Sequence, residues 1–178
     1  MRVITGTARG MKLKTLEGLD VRPTTDRMKE TVFSAVQFEV PGSNVLDLYA
    51  GSGQMGIEAL SRGASRCVFV DGDRRSSQVQ IENLRHTKLF DRSRVVTMTA
   101  QAYLASCKET FNIIFMDPPY HSDETADIIR TAFAKVEEGG CLLCETASDE
   151  DVDSALPEDV ERRVYRHGKI KITLFRKG

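Results

Sequence analysis

The amino-acid sequence predicts an α/β protein whose mostly parallel, seven-stranded sheet carries helices on both faces. Three observations lead to this fold class. From residue 44 onward short apolar runs alternate with amphipathic stretches, the first run ends in a glycine-rich turn, and the chain closes with two adjacent strand-like segments. Alternating strands and helices indicate a parallel sheet, because each crossover helix returns the chain to the same edge.

The predicted elements follow these runs. The first strand, at 45–49, is almost entirely apolar, as is typical of a parallel strand covered on both faces. Segments 160–166 and 169–176 predict a closing antiparallel hairpin. Further strands are expected near 66–70, 94–98, 111–116 and 140–145, and helices near 54–62, 74–88, 100–107 and 123–136.

Residues 1–41 predict a small extension in front of a main domain that spans 42–178. Within 1–21, two alternating segments joined by a Gly-containing turn indicate a β-hairpin. A helix is expected over about 26–38, because apolar side chains recur there on one face. Its N-terminal cap is expected from Thr24, Thr25 or Asp26.

Composition and charge narrow the class of protein. With 178 residues, 40% of them apolar, the chain can form one sizeable core, and no run approaches the roughly 18 apolar residues of a membrane span. We therefore expect a cytoplasmic monomer without membrane contact. The formal net charge of −1 does not indicate a nucleic-acid partner, although residues 1–14 carry four basic side chains and no acid. No metal site is expected, and the four cysteines are interpreted as buried free thiols.

The turn after the first strand predicts a nucleotide-like ligand. Gly51, Gly53 and Gly56 leave the backbone open to close approach, and the next helix directs its N–H groups into that space. Asp71 ends the following strand, at a point where a carboxylate accepts hydrogen bonds from ribose hydroxyls. NAD-type dinucleotides and S-adenosylmethionine both suit this geometry.

The fourth strand runs into Asp117-Pro118-Pro119-Tyr120, which predicts the chemistry. In a doubly wound sheet this strand end lies beside the glycine turn. The Asp117 carboxylate and the Pro118 carbonyl suit the two N–H groups of an exocyclic amine, and Tyr120 suits stacking on a base that has left its helix. The closing hairpin also favours the fold of S-adenosylmethionine-dependent methyltransferases over that of NAD domains.

The chain resembles the bacterial 16S ribosomal RNA (guanine-N2) methyltransferase family over essentially its whole length. The segments that carry the resemblance are Arg2-Val3-Ile4-Thr5-Gly6, Arg22-Pro23-Thr24-Thr25-Asp26-Arg27, Asp47-Leu48-Tyr49-Ala50-Gly51-Ser52-Gly53, Gly56 to Ala64, and Asp117-Pro118-Pro119-Tyr120. The resemblance implies a class I, Rossmann-like methyltransferase that uses S-adenosylmethionine. It also implies 16S ribosomal RNA as partner, either free or within a small-subunit assembly intermediate.

The resemblance implies roles for individual residues. The guanine amine would be held by the catalytic residues Asp117, Pro118, Pro119 and Tyr120. The cofactor would be bound by Asp47, Tyr49, Ala50, Gly51, Ser52, Gly53 and Asp71. RNA contact or cover of the site is expected from Arg22, Thr25 and Arg27, and from the basic residues Arg9 and Lys12.

The sequence departs from the family pattern at two places. Family members often carry Glu where this chain has Asp71, and the shorter side chain is expected to keep the role. Thr99 and Ala100 stand where the family often has an acid near the cofactor adenine, so backbone N–H groups or Thr99 are expected to take its place. Three other functions stay open. The chain could be an amino methyltransferase for adenine or cytosine in DNA or another RNA, an NAD-dependent oxidoreductase, or a non-catalytic RNA-binding module.

Overall fold

A computed structural model describes residues 1–16 and 25–178. The predicted site residue Arg22 and the candidate cap Thr24 lie outside these ranges. The seven strands of the described chain are β1 Asn44–Leu48, β2 Arg66–Asp71, β3 Ser93–Thr97, β4 Phe111–Met116, β5 Val136–Ala147, β6 Glu161–His167 and β7 Ile170–Arg176.

These strands form one sheet in the order β3-β2-β1-β4-β5-β7-β6. Neighbours among β1 to β5 pair in parallel, whereas β7 runs antiparallel to both β5 and β6. The predicted parallel sheet with a reversed closing hairpin is therefore confirmed. The chain order reverses between β1 and β4, and this is the switch point where ligands bind in such sheets.

Helices cover the sheet on both faces. In chain order they are α1 Asp26–Ala35, α2 Gln54–Ser61, α3 Arg74–His86, α4 Ala100–Ser106 and α5 Thr125–Phe133. Phe33, Leu60 and Leu84, from α1, α2 and α3, belong to one buried apolar cluster. Leu104 and Ile129, from α4 and α5, belong to a second cluster on the other face. This alternation explains why the strands between the two layers are apolar on both sides.

The N-terminal segment packs against the first of these clusters. Val3 and Leu13 are buried in it, and the buried Glu58 of α2 accepts the backbone N–H groups of Ile4 at 2.8 Å and Thr5 at 3.0 Å. The buried Lys29 of α1 donates to the Arg2 carbonyl at 2.5 Å. Segment 1–16 is thus held to α1 and α2 by buried polar groups as well as by apolar contact.

Three elements differ in extent from the sequence-based expectation. The predicted N-terminal hairpin is present but short, with one antiparallel bridge between Arg2 and Lys12. The backbone N–H groups of Val3, Gly10 and Leu13 donate across it to the carbonyls of Met11, Val3 and Met1. Helix α1 ends at Ala35 and not near 38, since a turn in which Val40 N–H bonds to the Val36 carbonyl buries both valines and leaves Phe38 88% exposed. Strand β5 begins at Val136, well before the predicted 140.

The cysteines are free thiols, as predicted, and Cys67, Cys141 and Cys144 are buried in the sheet. Cys107 is only half-buried, because it follows the last turn of α4. None of the helices within 1–16 and 25–178 combines the length and apolar character needed to cross a membrane.

Candidate active site

The two predicted loops meet at the carboxyl edge of the sheet. Leu48, the last residue of β1, is in register with Met116, the last residue of β4. The backbone N–H of Asp117 donates to the Leu48 carbonyl at 3.4 Å. The glycine turn that follows β1 and the motif that follows β4 therefore begin side by side.

The glycine turn needs residues that tolerate positive φ. Gly51 has φ of +53° and Gly53 has φ of +83°, and the non-glycine Tyr49 before them adopts φ of +57°. A Cβ built on Gly51 would meet nothing within 4 Å, so the backbone of the turn faces open space. A Cβ on Gly56, by contrast, would lie 2.3 Å from the Phe69 ring, so this glycine allows α2 to pack closely on β2. Gly51 and Gly53 are therefore needed for their backbone conformation, whereas Gly56 is needed for close packing of the helix on the strand.

Asp71 closes the turn from the neighbouring strand. One carboxylate oxygen accepts the Gly51 N–H at 2.8 Å and the other accepts the Asp73 N–H at 2.8 Å. Each oxygen has a second lone pair for a further donor. Asp71 therefore orders the turn and still presents acceptors to the cleft.

Two side-chain amides of α3 support the turn from behind. Gln80 donates to the Gly51 carbonyl at 2.8 Å, and Asn83 donates to the Ser52 carbonyl at 3.0 Å. Both amides are buried, where their hydrogen bonds replace those of water. The turn is consequently held in one conformation from below while its upper side stays accessible.

Asp47 lies beneath the turn with 4% of its surface exposed. Its carboxylate accepts the Gly56 N–H at 2.9 Å. Burial raises the pKa of Asp47 to about 8; the Gly56 hydrogen bond opposes this rise, and the charge of Asp71 adds to it. A positive charge on a bound ligand would favour the ionised form of this carboxyl group.

A cavity of about 260 Å³ opens beside Asp71. Its walls come from the ends of β1 and β2, the start of α4 and the loop after β4, through Tyr49, Asp71, Gly72, Thr99 and Pro119 among others. The Thr99 hydroxyl accepts the Ala102 N–H at 3.2 Å, so Thr99 caps α4 and also lines the cavity. Gln101 and Glu124, which also line it, are hydrogen-bonded to each other.

The motif after β4 opens onto a second, smaller cavity. Asp117 lines it together with Asp47 and Glu145, and α1 contributes Val32. Asp117 is exposed at the cleft. The protein packed around its carboxyl group nevertheless desolvates it and raises its pKa well above the usual range, and the charges of Glu145 and Asp47 add to the effect. Pro118 is buried and Pro119 is exposed. Tyr120 is 41% exposed and donates its hydroxyl to Glu145 at 3.2 Å.

Four of the five predicted RNA-contacting residues are described by the structure, and they lie on the outside of the N-terminal segment and at the start of α1. Arg9, Lys12, Thr25 and Arg27 are exposed. Thr25 is the N-cap of α1 and accepts the Met28 N–H at 3.3 Å. It is one of the three residues from which the sequence predicted this cap. Arg9 lies in the turn of the N-terminal segment. The N–H of the adjacent Ala8 donates to the Ser61 hydroxyl at 3.0 Å, and Ser61 is at the end of α2 that is far from the glycine turn. Arg9 is therefore remote from the two cavities, whereas segment 12–14 returns toward them.

Gln80, Asn83 and Glu145 are site residues that the sequence did not predict. Gln80 and Asn83 are three residues apart on α3, and both are buried on the side that faces the turn. A polar residue on the otherwise apolar, buried side of an amphipathic helix is the signal that could have identified them. Glu145 follows the apolar run 141–144 of β5 as Asp117 follows that of β4, which is a comparable signal.

Comparison with known proteins agrees with this architecture. A family described as "Conserved hypothetical protein 95" matches residues 1–176. Ribosomal RNA small subunit methyltransferase D of Escherichia coli K12 is 36% identical over 162 residues, which cover 88% of this chain and 78% of that protein.

Solved structures give the same result for the fold. The Escherichia coli protein yhhF superposes with a TM-score of 0.89 at 32% identity, covering 99% of this chain and 97% of that chain. The Thermus thermophilus 16S rRNA N2 G1207 methyltransferase, solved with AdoMet and guanosine, superposes with a TM-score of 0.76 at 21% identity. Its match covers 92% of this chain and 45% of that one. The predicted class I methyltransferase fold and the family resemblance are confirmed.

Proposed function

The chain belongs to the family described as Conserved hypothetical protein 95, and on that premise we propose that it methylates the exocyclic N2 amine of a guanine in 16S ribosomal RNA, with S-adenosylmethionine as methyl donor. The observation that carries this proposal is the meeting of two loops at one edge of the sheet. Gly51 and Gly53 follow β1, and Asp117 follows β4 and bonds to the Leu48 carbonyl at 3.4 Å. A donor held by the first loop and an amine held by the second would then be aligned for transfer.

Two of the similar proteins support RNA as the substrate. The Escherichia coli relative is named for the small ribosomal subunit, and the Thermus thermophilus neighbour is named for the N2 atom of a guanine in 16S rRNA. We extend both properties to this chain. The described residues supply the two acceptors that an amine requires, namely the Asp117 carboxylate and the Pro118 carbonyl.

The residues of the glycine turn fit S-adenosylmethionine. Open space lies above Gly51, and Asp71 has lone pairs left for the ribose hydroxyls after binding two backbone N–H groups. The cavity of about 260 Å³ next to Asp71, with Tyr49 and Thr99 in its walls, would take the adenosine part. Asp47 would lie by the methionine part, whose ammonium group would compensate its buried charge. When bound, the cofactor supplies an electrophilic methyl group carried by a positively charged sulfur.

Orientation of the amine is the main task of the motif after β4. The lone pair of an exocyclic guanine amine is delocalised into the ring, so the nitrogen is a weak nucleophile. If Asp117 and the Pro118 carbonyl accept its two N–H groups, the nitrogen is favoured in a pyramidal form with its lone pair directed at the methyl group. Tyr120 would stack on the flipped base and exclude water from one of its faces.

Asp117 also has a part in the proton balance. The amine would gain a methyl group as a new N–C bond forms and the sulfur–methyl bond breaks, its electron pair staying on sulfur, and the nitrogen must then lose one proton. The N–H donors of a bound guanine would favour the ionised carboxylate while the site is filled. Because burial and the neighbouring carboxylates hold the pKa of Asp117 high, the same group is able to accept the proton once methylation has occurred.

We further propose that 16S rRNA, free or within a small-subunit assembly intermediate, is bound by a monomer in the cytoplasm. Residues 1–41 would then form an RNA-contacting extension and 42–178 the catalytic domain. The exposed basic residues Arg9 and Lys12 support RNA contact by the extension.

The test is mass mapping of ribosomal RNA from cells that lack this protein. We expect one guanine of 16S rRNA to lose a single methyl group, and the purified protein to restore it in vitro with S-adenosylmethionine. Unmethylated sites in adenine or cytosine would support the alternative of another amino methyltransferase. An unchanged modification pattern would refute the proposed function.

A further inference from the structure

A third carboxylate, that of Glu145, lies with Asp47 and Asp117 in the site, and the proposed function gives it no role. Met116 is in register with Leu48 on one side and with Cys144 on the other. The residues that follow on β4 and β5, Asp117 and Glu145, are therefore neighbours at the carboxyl edge of the sheet. Both side chains line the same small cavity, together with Asp47.

Glu145 is held in this position by its surroundings. It is 8% exposed, and its backbone is in register with Ile172 of β7 in the middle of an antiparallel ladder. Its carboxylate accepts the Tyr120 hydroxyl at 3.2 Å. Burying a carboxylate costs free energy unless hydrogen bonds compensate it. The Tyr120 hydroxyl supplies such a bond, so the carboxylate is held where it lines the cavity.

Guanine has a donor pattern that matches two adjacent carboxylates. Its Watson–Crick edge carries the N1–H donor directly beside the N2 amine, whereas the corresponding N1 of adenine is an acceptor. An ionised carboxylate only accepts hydrogen bonds. A group that accepts from N1–H would therefore select guanine and would reject a base with an unprotonated N1, because two acceptors would then face each other.

We propose that Glu145 is a specificity-determining residue that accepts the N1–H of the target guanine while Asp117 holds the N2 amine. This inference rests on the proposed function and adds to it the group that reads the base. Tyr120, bonded to Glu145, would place its ring over the base whose edge Glu145 contacts. One hydrogen bond would thus connect the stacking residue with the residue that recognises the edge.

The experiment compares two bases that share the reacting amine. 16S rRNA is assembled by ligation with either guanine or 2-aminopurine at the target position; 2-aminopurine keeps the exocyclic amine at C2 but has an unprotonated N1. Methyl transfer is measured as kcat/KM for the unaltered protein and for Glu145→Gln. The Gln side chain is nearly isosteric and brings an N–H₂ donor that suits an unprotonated N1.

We expect the unaltered protein to prefer guanine by roughly 100-fold or more, as is usual where a site is built to bond a substrate N–H. Glu145→Gln should lower transfer to guanine and raise transfer to 2-aminopurine, so that the preference falls by about tenfold or more. The gain on 2-aminopurine is the decisive readout, because a variant that only disturbs the fold would lose activity on both bases.

Two control variants separate the alternatives. Glu138→Gln makes the same change at an exposed position at the other end of β5, and it should leave the ratio of the two bases unaltered. Tyr120→Phe removes the hydroxyl that bonds to Glu145, and it should lower transfer to both bases by a similar factor. If Tyr120→Phe reproduces the change in ratio seen with Glu145→Gln, Glu145 acts only through Tyr120 and the inference is wrong.

The remaining outcomes are also decisive. An unaltered guanine preference in Glu145→Gln, with cofactor affinity retained by calorimetry, would mean that Asp117 reads both donors alone and would overturn the inference while the proposed function stands. Failure of the unaltered protein to methylate guanine in any ribosomal RNA would overturn the proposed function and this inference together.

Discussion

The side-chain amide of Asn83 donates to the Ser52 carbonyl at 3.0 Å and to the Lys14 carbonyl at 3.0 Å. Its oxygen accepts the Lys14 N–H at 2.8 Å. One buried residue of α3 therefore ties the glycine turn to the end of the basic N-terminal segment. The part of the chain proposed to contact RNA and the part proposed to hold the cofactor share this support.

We expect Asn83→Ala to lower the free energy of unfolding by about 2–4 kcal/mol, because the buried Ser52 carbonyl and the partly buried backbone groups of Lys14 lose their partner. Cofactor affinity should fall as well, since the turn loses one of its two supporting amides. Urea denaturation and calorimetry measure the two effects. Gln78→Ala, at an exposed position of the same helix, is the matched control and should change neither quantity.

The stability of the protein should depend on pH through Asp47. Burial raises the pKa of Asp47 to about 8, while the pKa of Asp in the unfolded chain is about 4. Between these values the folded state binds more protons than the unfolded state, so this group makes the free energy of unfolding decrease as pH rises. Asp47→Asn keeps an acceptor for the Gly56 N–H but has no proton to lose.

We therefore expect the stability of Asp47→Asn relative to the unaltered protein to increase by about 1 kcal/mol or more from about pH 5 to pH 8. Urea denaturation of both proteins at several pH values measures this difference directly. Parallel curves over the whole range would show that Asp47 titrates normally and would contradict the prediction.

Asp117 and Asp71 should have separable roles. Asp117→Ala is expected to reduce methyl transfer by about 100-fold or more, because the amine loses its orienting acceptor, with little change in cofactor affinity. Asp71→Ala is expected to weaken cofactor binding by about tenfold or more, since it removes acceptors from the ribose and leaves the Gly51 N–H without its bond. Calorimetry with S-adenosylmethionine and single-turnover transfer distinguish the two variants. Equal losses of cofactor affinity in both would contradict this division.

The basic N-terminal segment should contribute to RNA affinity through charge alone. Within residues 1–16 and 25–178, Arg2 pairs with Asp26 and Lys14 with Glu82, whereas Arg9 and Lys12 form no ion pair. Arg9→Ala with Lys12→Ala should weaken RNA binding at low salt and reduce the slope of log affinity against log salt by about 1–2.

The control for this pair removes the same charge from the main domain, outside the N-terminal segment. Arg94 and Lys108 are exposed near the starts of β3 and β4, so Arg94→Ala with Lys108→Ala should leave RNA affinity and its salt dependence nearly unchanged. Equal effects of the two double variants would remove the N-terminal segment from the interface.

Local signals in the sequence were sufficient for the order of the elements and for most of the site. Apolar runs located the central strands of the main domain, because a strand covered on both faces has little choice of residue type, whereas the mostly polar β6 was located by its place in the closing hairpin. Gly51 and Gly53 were predictable because a tight turn needs their backbone conformation. Asp71 and Asp117 were predictable because each lies at the end of a strand. Boundaries were less well predicted where the chain leaves a regular element, as at Ala35 and Val136, since competing turns and strand pairings are decided by distant partners.

By itself, the sequence determined that two polar loops follow buried parallel strands, because periodicity and glycine spacing are properties of a few neighbouring residues. Only the tertiary structure decided which distant side chains complete those loops. Asn83 and Gln80 reach the turn from another helix, and Glu145 joins Asp117 from the next strand in the sheet. Such contacts depend on strand order and register, which no local pattern encodes.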